Sequence, residues 1–529
     1  MHVATLVLLI IVMVALAADT WFVYSRDMMM LQQNSYRNER YIRWFNQAKE
    51  STSVGRLFDL VAMFVLLLTN LPQVIVIPVA IIIYICQTVS LARKKYKKPL
   101  VRTKRVNRIC GVMLGLTAVV VALCWIFLGM WAAAAAWAAL LFVSPLVLLA
   151  ANSILAPVEK HINQKFYNEA ASILRSMPDL KVVGITGSYG KTSTKHYLHR
   201  ILSEHFSTTM TPGSFNTTLG VVRTVREHLR PYDEVFIVEM GAKQPGDIKE
   251  ITDLVHPQMG IITAVGEQHL ETFGSIENVQ KTKFELVDAL PADGFAAINN
   301  DFPYIASRKV DNVPVARYAV TNGGKADFRA TDVKYTPSGT TFKVVGPGLE
   351  NPLELSTKLL GECNVSDLLG AVVIALKLGV PAEKIRYAVE QIDQVEHRLS
   401  VKRVPGGLTI IDDAFNSNPA GSKMAVEVLG MMKEQGKRII ITPGMIELGA
   451  RQEEANREFG RNIAHNADVA IVVGLYNRVP ILEGLADGKM PEEKVYACDT
   501  FAQAQEILHK IARAGDVVLY ENDLPDTFK

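Results

Sequence analysis

The stretch VVGITGSYGKTSTKHY (182–197) constrains the fold more than any other part of the chain. Its Val-Val-Gly-Ile-Thr opening has the apolar, β-branched composition of a buried strand, and Lys191-Thr192 starts a run with helical spacing. Gly184, Gly187 and Gly190 recur every three residues between them. Glycines at a strand-to-helix turn let backbone N–H groups converge on an anion at a helix N-terminus. The spacing is GxxGxxGKT, not the GxxxxGKS/T of the common phosphate loop. The physics is unchanged, because Lys191 can offset phosphate charge and the Thr192 hydroxyl can hold Mg²⁺. Such a loop belongs in a wound α/β sheet, with its ligand at the carboxyl ends of the strands.

The rest of the chain after about residue 157 agrees. Short apolar strands, KVVGIT (181–186), EVFIVEM (234–240), GIITAV (260–265) and FAAIN (295–299), alternate with amphipathic helices. From about 399 a second series, LTIIDDA, KRIIITPG, VAIVVG, KVYAC and DVVLYE, predicts a further Rossmann-like sheet. At 529 residues, more than one domain is required. The expected division is 1–156, 157–397 and 398–529.

The first 156 residues have a different texture. They carry about 15 Lys/Arg against about five Asp/Glu, so roughly +10 sits there and about −7 on the remainder. Apolar runs at 3–24, 57–92 and 109–151 are long enough for one, two and two membrane-spanning helices. A cleaved signal peptide is the alternative for the first run, since ALAA resembles a cleavage site, but no Lys or Arg precedes it. The segment RKKYKKPLVRTKRVNR (93–108) holds no acid. Read as a nucleic-acid patch it offers only Tyr96 for stacking, so we read it as a topology signal that also suits anionic lipid headgroups. Five transmembrane helices with the N-terminus outside follow, placing loops 25–56 and 93–108 and everything after about 152 in the cytoplasm. No nucleic-acid partner is expected. The five cysteines form no CxxC pair and no cluster with histidine, so neither zinc nor a disulfide framework is expected.

Further blocks carry a resemblance. TPGSFNTTLG (211–220), VEMGAKQPGDI (238–248), ITAVGEQHLETFGSIENVQKTKFEL (262–286), IDDAFNSNPAGS (411–422) and GMIELGARQEEANREFG (444–460) follow the glycine loop. In order and spacing they resemble the Mur ligases, ATP-dependent enzymes that extend the peptidoglycan stem peptide. The blocks EMGA, HLETFGS, DDAxNSNP and GMxELG look most like the branch that adds D-alanyl-D-alanine to a muramyl tripeptide. The likeness covers roughly 175–520 and implies a P-loop ATPase central domain followed by a Rossmann-like C-terminal domain.

That resemblance also assigns residues. Gly187, Ser188, Tyr189, Gly190, Lys191 and Thr192 would form the ATP loop, joined by Asn364 near adenine, Arg398 at the γ-phosphate, and Asp413 and Asn416 at the ribose or phosphates. Thr192 and Glu239 would share one Mg²⁺. His269 and Lys283 would serve a second, with Lys283 carbamylated by CO₂. Lys191, Lys283, His269 and Arg398 are the expected catalytic set, and Asn216 and Glu447 are expected on the substrate side. Four features depart from the family pattern: Ser214 and Thr217 stand for two asparagines, Cys363 for a histidine, Asn456 for a histidine of the D-Ala-D-Ala branch, and YENDLPDTFK for a Lys-Gly-Ser-Arg block. The apolar front also stands where the family carries a small uridine-nucleotide domain.

The reaction so implied is amide formation through an acyl phosphate, joining a muramyl peptide carboxylate to an amino acid or dipeptide, D-alanyl-D-alanine first among them. Its expected site is the bacterial cytoplasmic membrane, with nucleotide- or lipid-linked precursors and membrane lipids as partners. Two other classes compete: a nucleotide-binding membrane scaffold of wall synthesis, and an ATP-driven transporter, for which no ABC signature is present.

Overall fold

A computed structural model describes residues 3–50, 53–67, 73–94, 96, 98–268, 270–321, 325–336, 338–415, 417–432 and 436–523. The described residues divide into two compact units, those up to 164 and those from 165 to 523.

The first unit is helical: α1 (Val3–Gln33), α2 (Asn38–Gln47), α3 (Val54–Leu67), α4 (Gln73–Arg93), α5 (Lys104–Leu128), α6 (Met130–Phe142) and α7 (Ser144–Arg175). Thr103 caps α5 by accepting from the Val106 N–H at 3.2 Å, and Gly129, at φ +88°, ends it where no other residue turns so easily. The bundle core is apolar, drawing on Leu16, Met28, Leu66, Ile77, Ile109 and Leu141 among others.

Among the described residues only α5 is long and apolar enough by itself to cross a membrane. The pair α6 and α7, bent by 78° at their junction, would add one more if it is a single broken span. The expectation of five spans is not supported: among the described residues one helix meets the requirement alone, and at most two do if the bent pair is one span. α1 buries Asp19 and Asp27, α3 has 14 residues, α6 has 13, and the turn expected at 69–73 lies almost wholly outside the described residues. The segment 25–56 is also no open loop, since α1 continues to Gln33 and α2 follows. The change of texture at 157 falls inside α7, whose helix-compatible sequence carries through Pro157 to Arg175.

In the second unit, β1 (Lys181–Thr186), β2 (Thr208–Met210), β3 (Val235–Glu239), β4 (Met259–Ile262), β5 (Phe295–Asn299), β6 (Val315–Ala319), β7 (Phe328–Thr336), β8 (Gly339–Val345) and β9 (Leu353–Thr357) make one sheet. Its order is β2-β3-β1-β4-β5-β6-β7-β8-β9, parallel up to β7 and antiparallel beyond. β1 and β3 are buried from their second and first residues respectively. Central parallel strands covered on both faces read as unbroken apolar runs for this reason. The helix α8 (Lys191–Leu202) packs Tyr197, Leu198 and Ile201 on one face of the sheet. The other face is covered by a separate core containing Val238, Ile262 and Phe284.

The second sheet contains β10 (Ser400–Arg403), β11 (Thr409–Asp413), β12 (Arg438–Thr442), β13 (Val469–Val473), β14 (Val495–Cys498) and β15 (Val517–Glu521). Its order is β10-β11-β15-β12-β13-β14, and only β10 runs antiparallel. The chain passes between the sheets through His397 and Leu399, both at positive φ (+58° and +52°), a conformation that non-glycine residues hold only when the surroundings enforce it.

Candidate active site

Thr186 ends β1, and residues 187–190 turn into α8. Gly187 and Gly190 have φ of +156° and +78°. A Cβ on Gly187 would stand 2.1 Å from Thr263 Oγ1, and one on Gly190 would stand 2.1 Å from Asp367 Oδ1. Neither position tolerates a side chain. The loop is fastened to the turn after β4: the Ser188 N–H donates to the Ala264 carbonyl at 2.7 Å and the Ser188 hydroxyl bonds the Gly266 backbone. Tyr189 folds toward Phe302, with ring centres 6.1 Å apart.

Four side chains converge beside this loop. Thr192 Oγ1 donates toward the Glu239 carboxylate at 3.1 and 3.2 Å, and Asn216 Nδ2 donates to it at 3.0 Å. Lys195 Nζ reaches it at 2.9 Å and also donates to the Gly213 carbonyl. Burial opposes the charge on Glu239, but Lys195 and Lys191, with the Lys195 and Asn216 hydrogen bonds, outweigh it and hold the carboxyl below its ordinary range. A buried carboxylate beside a hydroxyl at the foot of a glycine loop is the oxygen-donor chemistry that Mg²⁺ takes, so these residues fit the ion.

Lys191 Nζ donates to the Gly187 carbonyl at 2.6 Å and the Ser188 carbonyl at 3.3 Å, curling over its own loop. Desolvation lowers its pKa to about 8; Glu239 and Asp367 oppose the change and Arg398 adds to it. Lys283 lies on the helix Ile276–Asp288, 2 % exposed, with its amine 5.8 Å from the centre of the Phe273 ring. Burial, then the nearby Lys191 charge, brings it down to about 7. Read from sequence without relatives, Lys283 is a solvated helix face; the fold buries it instead.

Across the cleft, Arg398 stacks over Phe415, 4.2 Å from the ring centre, and feels the charges of Asp413, Glu239 and Asp367. Asp413 ends β11 and accepts from the Leu399 N–H at 3.1 Å; burial lifts its pKa to about 6 against the pull of Arg398. Asp367 is buried under Gly190, lifted to about 7 by desolvation with Arg398 and Lys191 opposing. Asn364 is turned inward: Oδ1 accepts from Tyr197 at 2.7 Å and Nδ2 donates to the Leu360 carbonyl at 2.7 Å. Cys363 joins the core, and its backbone N–H meets Met424 Sδ at 3.0 Å. Glu447 stands at φ +63° in the loop after β12. His269 and Asn416 lie outside the described residues, and no group of three or more His, Cys, Asp or Glu able to hold a metal exists among those described.

The sequence reading missed Lys195, Asp367 and Glu521. Lys195 follows Lys191 by one helical turn. Glu521 ends a buried apolar strand just as Glu239 does, and its carboxyl takes hydrogen bonds from Ser417 and, at 2.7 Å, Thr442. Both signals were present in the strand and helix periods.

This arrangement meets its relatives through residues 185–375, which match the Mur ligase middle domain, and 397–520, which match the Mur ligase glutamate ligase domain. The chain is 30% identical over 407 residues to the UDP-N-acetylmuramoyl-tripeptide–D-alanyl-D-alanine ligase of Mycobacterium bovis, covering 70% of this chain and 78% of that one. The chain belongs to the Mur ligase family. The ligase of the same name from Bacillus subtilis is 27% identical over 344 residues, spanning 64% of this chain and 72% of its own. A crystal structure of MurF from Acinetobacter baumannii superposes with a TM-score of 0.61 at 26% identity, over 68% of this chain and 77% of that chain. Among Mur ligase departures, Thr217 has a local use: its hydroxyl caps the helix Thr218–Glu227 by accepting from the Gly220 N–H at 3.3 Å. Asn456 is a buried hub, accepting from the Met445 N–H at 2.9 Å and donating to the carbonyls of Gln452 at 2.8 Å and Met445 at 3.1 Å.

Proposed function

We propose that this chain is an ATP-dependent, ADP-forming amide ligase of peptidoglycan precursor synthesis, joining D-alanyl-D-alanine to a muramyl tripeptide. The carrying observation is the Thr192–Glu239–Asn216–Lys195 cluster at the foot of a loop that only glycine can form. Thr192 and Glu239 would hold Mg²⁺, which when bound spreads the phosphate charge during transfer. Lys191 neutralises the β/γ oxygens, and Arg398 approaches the same charge from the C-terminal domain. The tripeptide carboxylate attacks the γ-phosphorus, and the bond to the ADP oxygen breaks. The amine of the incoming dipeptide then attacks the acyl carbon, expelling phosphate and losing a proton. No side-chain nucleophile is required, so positioning and electrostatics carry the rate.

Lys283, with its pKa near 7, has a large neutral fraction at cellular pH. A neutral amine adds to the carbon of CO₂ and releases one proton, giving a carbamate anion. We read Lys283 as this carbamylated lysine and His269 as its companion at a second Mg²⁺. Arg398, Asp413, Asn416 and Asn364 are read as the nucleotide side, Asn216 and Glu447 as the acceptor side.

We further infer that the first unit is embedded in the bacterial cytoplasmic membrane, with the ligase domains on the cytoplasmic side. Supporting this, its outward side chains are strongly apolar: Ile126, Phe127 and Leu128 are 72, 76 and 71 % exposed, and Ile82, Ile85, Phe64 and Leu146 also face outward. At a membrane face both lipid-linked and nucleotide-linked acceptors are within reach. Mass spectrometry of products after incubation with ATP, D-Ala-D-Ala and each acceptor in turn tests the reading. A product gaining the dipeptide mass, lost in Lys191→Ala, supports the ligase. Nucleotide binding without product favours a scaffold, and acceptor-independent phosphate release favours a transporter.

A further inference from the structure

The first unit buries more charge than its own pairing neutralises. Asp19, Asp27 and Asp59 are 0, 2 and 1 % exposed, and Arg56, 3 % exposed, is the cation among them. Arg56 is committed: it forks onto both oxygens of Asp27 at 2.8 and 2.9 Å and donates to Ser144 and the Leu141 carbonyl. Arg26 is likewise paired with Glu50. Among the described residues, Asp19 and Asp59 therefore remain as two carboxylates without a paired cation, near enough to repel each other.

Helix α4 joins them. Its neighbouring residues Gln87 and Thr88 point to different helices, Gln87 Nε2 donating to Asp59 of α3 at 2.9 Å and Thr88 Oγ1 to Asp19 of α1 at 3.2 Å. Tyr84, one turn earlier, lies within the field of both acids. Three buried oxygens here have no hydrogen-bond partner among the described residues: Asp19 Oδ2, Gln87 Oε1 and the Tyr84 hydroxyl. Of the other elements packed on α1, α6 contains no ionisable residue, α5 carries Lys104 with Arg105 and Arg108, the last two facing Glu159, and α2 carries Glu39, Arg40 and Arg43 beside the Tyr41 hydroxyl. Arg56 Nε is also unpartnered, but its terminal nitrogens fix that guanidinium on Asp27 and the α6–α7 junction. Ionisable groups inside an apolar bundle are costly and persist where they bind something.

We propose that Asp19, Asp59, Gln87, Thr88 and Tyr84 form a binding site for one monovalent cation, a proton or a sodium ion, between α1, α3 and α4. The shared chemistry is a single positive charge accepted by carboxylate, amide and hydroxyl oxygens. The site is separate from the ligase cleft and rests on the membrane placement proposed above.

The test uses the full chain in nanodiscs of zwitterionic lipid, probed with a hydrophobic carbodiimide, which reacts with protonated carboxyl groups in apolar surroundings, and read by peptide mass spectrometry. An adduct on Asp19 or Asp59 is expected, absent from that position in Asp19→Asn or Asp59→Asn. If sodium is the ligand, saturating NaCl slows labelling at least about tenfold against equal choline chloride. If the proton is, NaCl has no such effect and labelling falls at least about tenfold from about pH 6 to about pH 9. No adduct on either residue at any pH overturns the site, as does labelling indifferent to both sodium and pH. Incorporation into the disc is scored separately, so an embedded but unlabelled chain defeats this site alone, while a chain that stays out of the disc defeats the membrane placement and the site with it.

Discussion

Lys195 and Glu239 form an ion pair at 2.9 Å with side chains 0 and 1 % exposed, and the same lysine holds the Gly213 carbonyl of the neighbouring loop. One cation thus ties the carboxylate of the proposed metal site to the loop that carries Asn216. Removing one partner of such a pair strands the other in a desolvated place. Lys195→Met is expected to lose about 3–5 kcal/mol in urea unfolding. Lys195→Met/Glu239→Gln should recover much of that stability while remaining inactive. A double variant no more stable than the single would show that the pair is not the source.

Lys283 gives a pH dependence of definite sign. Its folded pKa, about 7, lies below the ordinary 10.5, so between those values the unfolded chain holds the proton and the native chain does not. Stability contributed by this group therefore rises with pH from about 7 to about 10.5. Lys283→Met should flatten the thermal midpoint against pH across that window. Activity of the unaltered enzyme should rise with pH through about 7 and fall in buffers stripped of CO₂; a rate indifferent to CO₂ would refute carbamylation.

Glu521 has the opposite sign. Burial raises it from 4.5 to about 7, with the Ser417 and Thr442 hydrogen bonds opposing and the Asp413 charge adding to the rise. The native chain then binds the extra proton between those values, and the group's contribution is present below about 4.5 and lost as pH climbs through about 7. Glu521→Gln should remove up to about 3 kcal/mol of this dependence. Denaturant midpoints of the two proteins that diverge toward pH 8, the variant the more stable, are the expected reading.

Asn456 fills the place where the D-Ala-D-Ala branch has histidine, yet the surroundings are shaped for the amide. A Cβ on Gly444 would lie 2.4 Å from its Oδ1, so the packing is already tight. Asn456→Ala leaves the Met445 N–H without its acceptor in a buried place and should cost about 1–3 kcal/mol. Asn456→His should destabilise as well, by overpacking, rather than improve turnover. A faster histidine variant would contradict this.

Arg451 and Glu267 form an ion pair between the C-terminal and central domains, with side chains 48 and 30 % exposed. Solvent screens such a pair, and Arg451→Ala should change unfolding free energy by less than about 0.5 kcal/mol. A role for the pair in domain approach predicts that Arg451→Ala raises KM for ATP in low salt with kcat unchanged, and that the difference vanishes as salt is added.

Local physics made much of this protein readable in one dimension. The runs at 181–186 and 295–299 are the strands β1 and β5 to the residue, because a parallel strand covered on both faces is apolar through its middle and takes polar residues at its ends, here Lys181, Thr186 and Asn299. The glycine loop was readable because positive φ and close approach exclude other residues there. Sequence alone also separated the apolar, basic front from the α/β remainder. What the chain could not reveal is which charges end up out of water. Lys283 and Lys195 look like solvated helix positions, Glu521 like an ordinary strand end, and Asp19 and Asp59 like flaws in apolar helices. Their character comes from desolvation and from partners distant in sequence, 44 residues away for Lys195 and Glu239, 69 for Asp19 and Thr88. Those distances close only when the sheets and helices pack, so tertiary structure decides which of the chain's ionisable groups become chemistry.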